Sequence, residues 1–212
     1  AVTRWAPPAH REDMARVYMM LLLTLRGNPI IYQGEELALP QENVPFSNLK
    51  DPEAIMNWPK TLGRDGARTP MPWEGAKQNA GFSSAEPWLP VDPEHARLAV
   101  DQQQGNDSML RFTSQALSAR KQVPALLQGS MRFEASGRSS VLILERAHEG
   151  ESILAVFNFG DTPFQIPESL VSKGDLLLSS RPLKEDLIRD NEVPERIDRK
   201  STRLNSSHVK RS

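Results

Sequence analysis

The residues able to do chemistry gather in one short stretch. Glu35 and Glu36 are adjacent carboxylates that follow Tyr32-Gln33-Gly34. Two carboxyl groups side by side suit general acid and base work if their environments push their pKa values apart. The plainer expectation is one solvated glutamate and one that braces the turn through hydrogen bonds. Arg64, Asp65 and Arg68 lie thirty residues on, in Arg64-Asp-Gly-Ala-Arg68-Thr-Pro-Met-Pro-Trp73. A guanidinium keeps its charge and presents donors in a fixed fork. Either arginine could hold a ligand or brace the loop through an ion pair, and Asp65 is expected to brace the loop. His10, His95 and His148 have no ligand spacing, and the fourth histidine, His208, lies in an aberrant tail. No metal site is expected from them. The chain has no cysteine, which removes a thiolate nucleophile and disulfides. Trp73 and Trp88 have flat faces that could stack on a ring, but anchoring the loop is the expected role. Tyr32 is expected to pack in the core.

These candidates need elements to position them. Residues 11–26 read as a helix, with Glu12 and Asp13 in its first turn and Met14, Val17, Tyr18, Leu21 and Leu25 at helical spacing. Gly27 stops it. Residues 28–33, Asn-Pro-Ile-Ile-Tyr-Gln, lack polar alternation and read as a parallel strand covered on both faces. A stretch from about 34 to 105 follows, with nine prolines between Pro40 and Pro93 and three of the four tryptophans. A tryptophan-rich stretch of this length is expected to fold over a scaffold, with a short helix near 95–104. Asn106 or Asp107 should cap a second long helix with Met109, Phe112 and Ala116 on one face and Arg120 and Lys121 at its basic end. Beyond Gly129 the texture is all β, with runs at 131–135, 141–146, 152–159, 163–166 and 175–179 set apart by Gly137, Gly150, Gly160 and Gly174.

Composition bounds the rest. The 212 residues carry a net charge of −1, which makes no case for a nucleic-acid partner. No apolar run reaches the ~18 residues of a membrane span. From Asp198 onward the tail carries +4, and Asp198 to His208 resembles a translated sequencing adapter. Residues 198–212 are therefore set aside as artefactual. No signal peptide is legible, and the absence of cysteine fits a cytoplasmic protein. Ala1 is not a methionine, so a leader ahead of it would be out of view.

Four segments, in order, resemble one family. Gly27-Asn-Pro-Ile-Ile-Tyr32-Gln-Gly34-Glu-Glu36 is similar to the surroundings of the eighth barrel strand in the alpha-amylase family of glycoside hydrolases, family 13. Arg64 to Trp73 resembles the hallmark of its alpha-glucosidase and oligo-1,6-glucosidase branch. Glu86-Pro-Trp-Leu-Pro-Val91 and Arg120-Lys-Gln-Val-Pro-Ala125 match that branch too. The resemblance implies an α/β then all-β chain. Residues 1–128 would be the C-terminal part of a (β/α)8 TIM barrel: helix 7, strand 8, a long loop and helix 8. Residues 129–197 would be a truncated antiparallel β-sandwich.

The resemblance also implies a retaining, exo-acting alpha-glucosidase on malto- or isomalto-oligosaccharides, working without a cofactor. Two carboxylates about 5–5.5 Å apart do that chemistry, one as nucleophile and one as acid/base. In the family they lie on earlier strands, so the catalytic residues are expected before Ala1 and the chain alone is expected to be inactive. Arg68 is carried over as the arginine that grips the non-reducing-end glucose. Tyr32, Glu36, Arg64 and Trp73 are carried over as structural residues near it. Trehalose synthase and other transglycosylating relatives share similar loop motifs. The non-catalytic ectodomains of amino-acid-transporter heavy chains resemble the family but have lost hydrolysis, and Arg68 in its intact motif favours the enzyme over them. Oligomeric state is not legible. Two expectations concern folding. The apolar face of the first long helix should lack a partner and leave the N-terminal half partly molten, and the truncated sandwich should keep an unpaired edge.

Overall fold

A computed structural model of the chain describes residues 2–61, 63–167, 170, 175–180, 196–197 and 202–208. The chain divides into two compact units: residues 1–11 with 31–111, and residues 12–30 with 112–212. Helix α1 is Val2–Trp5 and α2 is Arg11–Thr24. Then come α3 (Pro52–Asn57), α4 (Pro93–Arg97), α5 (Met109–Gln122) and α6 (Pro124–Leu127). The strands are β1 (Ser130–Glu134), β2 (Val141–His148), β3 (Glu151–Asn158), β4 (Phe164–Gln165), β5 (Asp175–Ser179), β6 (Arg196–Ile197) and β7 (Thr202–His208). None of the described helices is long and apolar enough to cross a membrane.

The second unit is regular. Its five-stranded sheet runs β1-β2-β3-β7-β5, every pair antiparallel, and β4 and β6 form a separate two-stranded sheet. β2 and β3 pair from Val141↔Asn158 to His148↔Glu151. The two residues between them, Glu149 and Gly150, both have positive φ (48° and 88°), the backbone of a tight hairpin turn. Val141, Ile143, Val156, Phe164 and Ile166 form the apolar cluster beside this sheet. α2 and α5–α6, assigned from sequence to the barrel portion, group with the sheet.

Three expectations are corrected. The face of α2 does not lack a partner: Val17, Met20 and Leu23 are fully or almost fully buried within the chain. Arg16 lies over the Phe112 ring at 5.3 Å, and Tyr18 stacks on Phe159 at 6.3 Å. The flank of β3 is not left open either, because residues 202–208, set aside from sequence, pair with β3 on one side and β5 on the other, so that β1 and β5 are the edge strands among the described residues. Ladder bonds join backbone to backbone, so a strand can be recruited whatever its side chains. Residues 192–195 of the segment leading into the tail, and 198–201 and 209–212 of the tail, lie outside the described residues. Finally, residues 28–33 form no strand, and Ile30 is 83% exposed. A parallel strand covered on both faces needs neighbours to pair with, and no described segment pairs with this one.

Helix ends in this unit are tied by buried arginines rather than by caps near in sequence. Arg120 donates to the carbonyls of Leu23, of Leu25 at 3.1 Å and of Gly27 at 2.6 Å. Arg146 donates to Thr24 O at 2.8 Å, Gly129 O at 3.0 Å and Ser130 O at 3.0 Å. These are carbonyls that the end of a helix and the start of a strand would otherwise leave unpaired. Burial lowers the pKa of both arginines, and the charges of Arg120 and Arg26 lower that of Arg146 further. Arg120 lies in the last turn of α5, the basic end expected of it, and its guanidinium turns inward to these acceptors.

The first unit contains no strand among its described residues. Short helices and 3-10 turns carry the chain from residue 31 to 111, around a small core that includes Val44, Leu49, Ala54 and Leu89. The short helix expected near 95–104 is α4 followed by a 3-10 turn at Val100–Gln102. Trp73 and Trp88 are each about half exposed, so about half of each indole lies against this unit. Amide side chains do much of the linking. Gln41 Nε2 donates to Gly63 O at 3.1 Å, and Gln103 Nε2 donates to Leu37 O at 3.0 Å and to Leu98 O at 2.9 Å. Asn79 Nδ2 donates to Ser83 O and Ala85 O. Backbone groups without a ladder must find partners one at a time, and these side chains supply them. At the end of this unit the helix cap is Ser108, whose hydroxyl accepts from Arg111 N–H at 3.2 Å.

Candidate functional site

The motif from Arg64 to Trp73 begins on a 3-10 turn, Asp65–Ala67. Asp65 is almost fully buried, and its Oδ2 accepts from the N–H groups of Lys50 (2.6 Å) and Asp51 (2.7 Å). The Asp51 side chain is also buried. It takes two bonds from the Arg64 guanidinium, at 3.0 and 2.7 Å, and one from Arg64 N–H at 2.8 Å. It also accepts from Glu53 N–H at 3.3 Å and so caps α3. The hydrogen bonds from Arg64 hold the Asp51 carboxyl well below the usual carboxylate range, and Asp51 in turn raises the Arg64 pKa. Gly66 has room for no side chain, since a Cβ there would meet Glu42 O at 2.0 Å. The turn is thus tied into the unit from several sides.

Arg68 follows that turn and is exposed. Its backbone N–H donates to Asp65 O at 2.8 Å. Its guanidinium has no hydrogen bond or ion pair among the described residues, whereas Arg64, four residues earlier, gives Nε and Nη2 to Asp51. An exposed fork of donors set on a braced turn can take a carboxylate or neighbouring hydroxyls of a ligand.

Tyr32 was expected in the core, but it is 49% exposed. The missing strand at 28–33 explains the difference, because no sheet covers the residue. Glu35, rather than Glu36, braces the adjacent turn: its Oε2 accepts from Tyr32 N–H at 3.1 Å. Glu36 is partly buried, and its Oε2 has no hydrogen-bond partner among the described residues. The two carboxylates therefore differ in environment, but the structure gives neither a reacting partner.

A cavity of about 50 Å³ joins these pieces, lined by residues that include Tyr32, Glu35, Pro40, Gln41, Ala67, Thr69 and His95. A wider recess of about 510 Å³ in the same unit is lined by Thr3, Arg4, Gln41, Glu53, Thr61, Gly63 and Arg64. Trp73 contributes through its backbone, where its N–H donates to Ala80 O at 2.9 Å and its carbonyl accepts from Asp101 N–H at 3.1 Å.

Two residues had no signal in the sequence. His95 is 2% exposed, with Nε2 2.7 Å from Pro40 O and Nδ1 3.2 Å from Thr69 Oγ1. Glu42 is buried, its Oε2 without a partner among the described residues, and burial together with the Asp92 charge pushes its carboxyl up to about 7. Both are single residues with no neighbour in sequence to mark them. Only the fold reveals their surroundings.

Comparison with known proteins gives this arrangement its context. The alpha-amylase family model, described as the alpha amylase catalytic domain, matches residues 1–129. A probable alpha-glucosidase of Rhizobium meliloti (strain 1021) is 43% identical over 162 residues, covering 76% of this chain and 29% of the relative. A probable oligo-1,6-glucosidase 2 of Bacillus subtilis (strain 168) is 30% identical over 195 residues, covering 81% of this chain and 34% of the relative. Among solved structures, an alpha-glucosyl transfer enzyme, XgtA, superposes with a TM-score of 0.80 at 34% identity, over 97% of this chain and 38% of its own. The chain thus spans about a third of the length of the relatives it matches. With the family domain covering more than half of its residues, this chain belongs to the alpha-amylase family.

Proposed function

We propose that this chain is the C-terminal third of a retaining, exo-acting alpha-glucosidase that hydrolyses α-1,4 or α-1,6 glucosidic bonds of malto- or isomalto-oligosaccharides. In this reading residues 1–128 close a (β/α)8 barrel and residues 129–197 belong to a β-sandwich. The substrate-contacting residue in this chain is Arg68. A retaining mechanism needs one carboxylate to attack the anomeric carbon and a second to protonate the leaving oxygen. Those two groups are contributed by residues outside this chain, and the 212-residue chain alone is inactive.

The observation that carries the reading is the Arg68 guanidinium without a partner among the described residues, close to an Arg64 held by two bonds to Asp51. A loop that ties one arginine of a pair to a buried carboxylate and leaves the other without a partner presents the second to a ligand. Relatives named alpha-glucosidase and oligo-1,6-glucosidase supply the substrate class. A charge-assisted hydrogen bond contributes about 1.5–3 kcal/mol, or roughly 10- to 150-fold in rate. In the longer parent protein, Arg68→Ala should therefore lower kcat/KM for p-nitrophenyl α-glucoside by roughly 10- to 100-fold. Retention of the parent's kcat/KM would remove Arg68 from the substrate site.

A second reading is favoured by one comparison. The solved structure at 34% identity is a glucosyl transfer enzyme. The same residues would hold the donor glucose there, and a sugar hydroxyl instead of water would take up the glucosyl group. Product analysis on maltose separates the two readings: free glucose alone marks hydrolysis, and longer or rearranged sugars mark transfer.

A further inference from the structure

We infer that His95 is a positioning residue for Arg68, acting through Thr69; this rests on Arg68 being the substrate-contacting group. The path is short and buried. Thr69 follows Arg68 directly and is itself buried. Its hydroxyl lies 3.2 Å from His95 Nδ1, and its carbonyl accepts from Gln33 Nε2 at 3.4 Å. The other ring nitrogen, Nε2, is 2.7 Å from Pro40 O. A carbonyl only accepts, so Nε2 carries a proton. In the neutral ring Nδ1 is then the acceptor, and the Thr69 hydroxyl donates to it. One imidazole thereby pins the residue after Arg68 to the segment around Pro40.

The ring is held in its turn by α4. Asp92 Oδ1 caps that helix by accepting from Glu94 N–H at 2.6 Å. Gly75 packs so closely on α4 that a Cβ there would meet Ala96 O at 2.2 Å. On the other side of Arg68, the backbone bond to Asp65 O fixes the turn. Arg68 is therefore an exposed side chain on a backbone clamped at its own N–H and at the residue that follows. A guanidinium fork works only when its direction is set, and a displacement of about 1 Å from the productive geometry can cost about 100-fold.

The test uses the longer parent protein and four variants beside Arg68→Ala. His95→Phe keeps the ring volume and removes both bonds. Thr69→Val removes only the hydroxyl. The double variant asks whether the two act as one. His95→Gln restores a donor for Pro40 O and an acceptor for Thr69. The expected result is a KM for p-nitrophenyl α-glucoside raised about 10-fold by His95→Phe and by Thr69→Val, with kcat within about twofold. The double variant should be no worse than the larger single one, since coupled residues do not add. His95→Gln should return to within about threefold of the parent KM. The inference is overturned if Arg68→Ala raises KM while His95→Phe leaves KM unchanged and only lowers the melting temperature. It is also overturned if the effects of His95→Phe and Thr69→Val simply add. An Arg68→Ala variant with the parent KM would instead sink the reading of Arg68 as the substrate contact.

Discussion

The two units solve the same problem in opposite ways. In the second, backbone groups pair along ladders and helices, and side-chain bonds to carbonyls are concentrated where those elements end, at Arg120 and Arg146. In the first, no ladder exists among the described residues, and Gln33, Gln41, Asn79, His95 and Gln103 reach carbonyls or hydroxyls one at a time. A ladder is repetitive, so a change at one position is shared by its neighbours. A loop held by single bonds has no such reserve, and each bond can be aimed wherever a ligand requires. It is the loop unit that carries the unengaged arginine.

The largest expected effect tests where the regular unit departs from its own rule. Arg146→Met leaves the buried carbonyls of Thr24 and Gly129, and the partly buried one of Ser130, without their donor. The expected loss is about 3 kcal/mol or more in denaturant unfolding. A loss below about 1 kcal/mol would mean that the ladders alone hold this unit together.

The next test sits in the loop unit. Glu42 has its carboxyl raised from 4.5 to about 7, chiefly by burial and then by Asp92. A folded pKa above the unfolded one means that the folded state holds its proton more tightly. The associated stability is complete below about pH 4.5 and is lost as pH rises through 7. At 1.36 kcal/mol per unit, the loss is at most about 3 kcal/mol. Glu42→Gln should remove that slope between pH 4.5 and 7.5 in urea melts. A variant that keeps the parent's slope would assign the titration to another group.

The smallest effect is expected in the hairpin between β2 and β3. Glu149 occupies a positive φ that asparagine adopts more readily, next to Gly150. Glu149→Asn should stabilise the chain by about 0.5 kcal/mol, read as a higher urea midpoint with unchanged slope. A loss of stability would show that the turn is constrained by more than its own backbone.

Legibility from sequence follows the same divide. α2, α5 and the strands from β1 to β5 were marked by apolar period and by Gly150, because those signals are local and repeated. Residues 28–33 had the composition of a buried strand, but pairing depends on partners elsewhere, and composition cannot supply them. The helix cap was placed one or two residues early, on Asn106 or Asp107 instead of Ser108, since all three side chains can cap. At the candidate site, Arg68 and Arg64 stood out through their motif. Which of them is engaged was set by Asp51, thirteen residues upstream of Arg64 and unremarkable in the sequence. His95 and Glu42 were invisible for the same reason. A single buried polar residue has no period, and its partners, Pro40, Thr69 and Asp92, are distant in sequence.

The recruitment of residues 202–208 between β3 and β5 has a practical consequence for anyone who prepares this protein. Trailing amino acids are commonly treated as inert baggage to be trimmed or exchanged for a purification handle. Here they are a rung in the middle of the ladder, and cutting them away would part β3 from β5. Any comparison of preparations that differ only in their last dozen residues is then a comparison of different sheets.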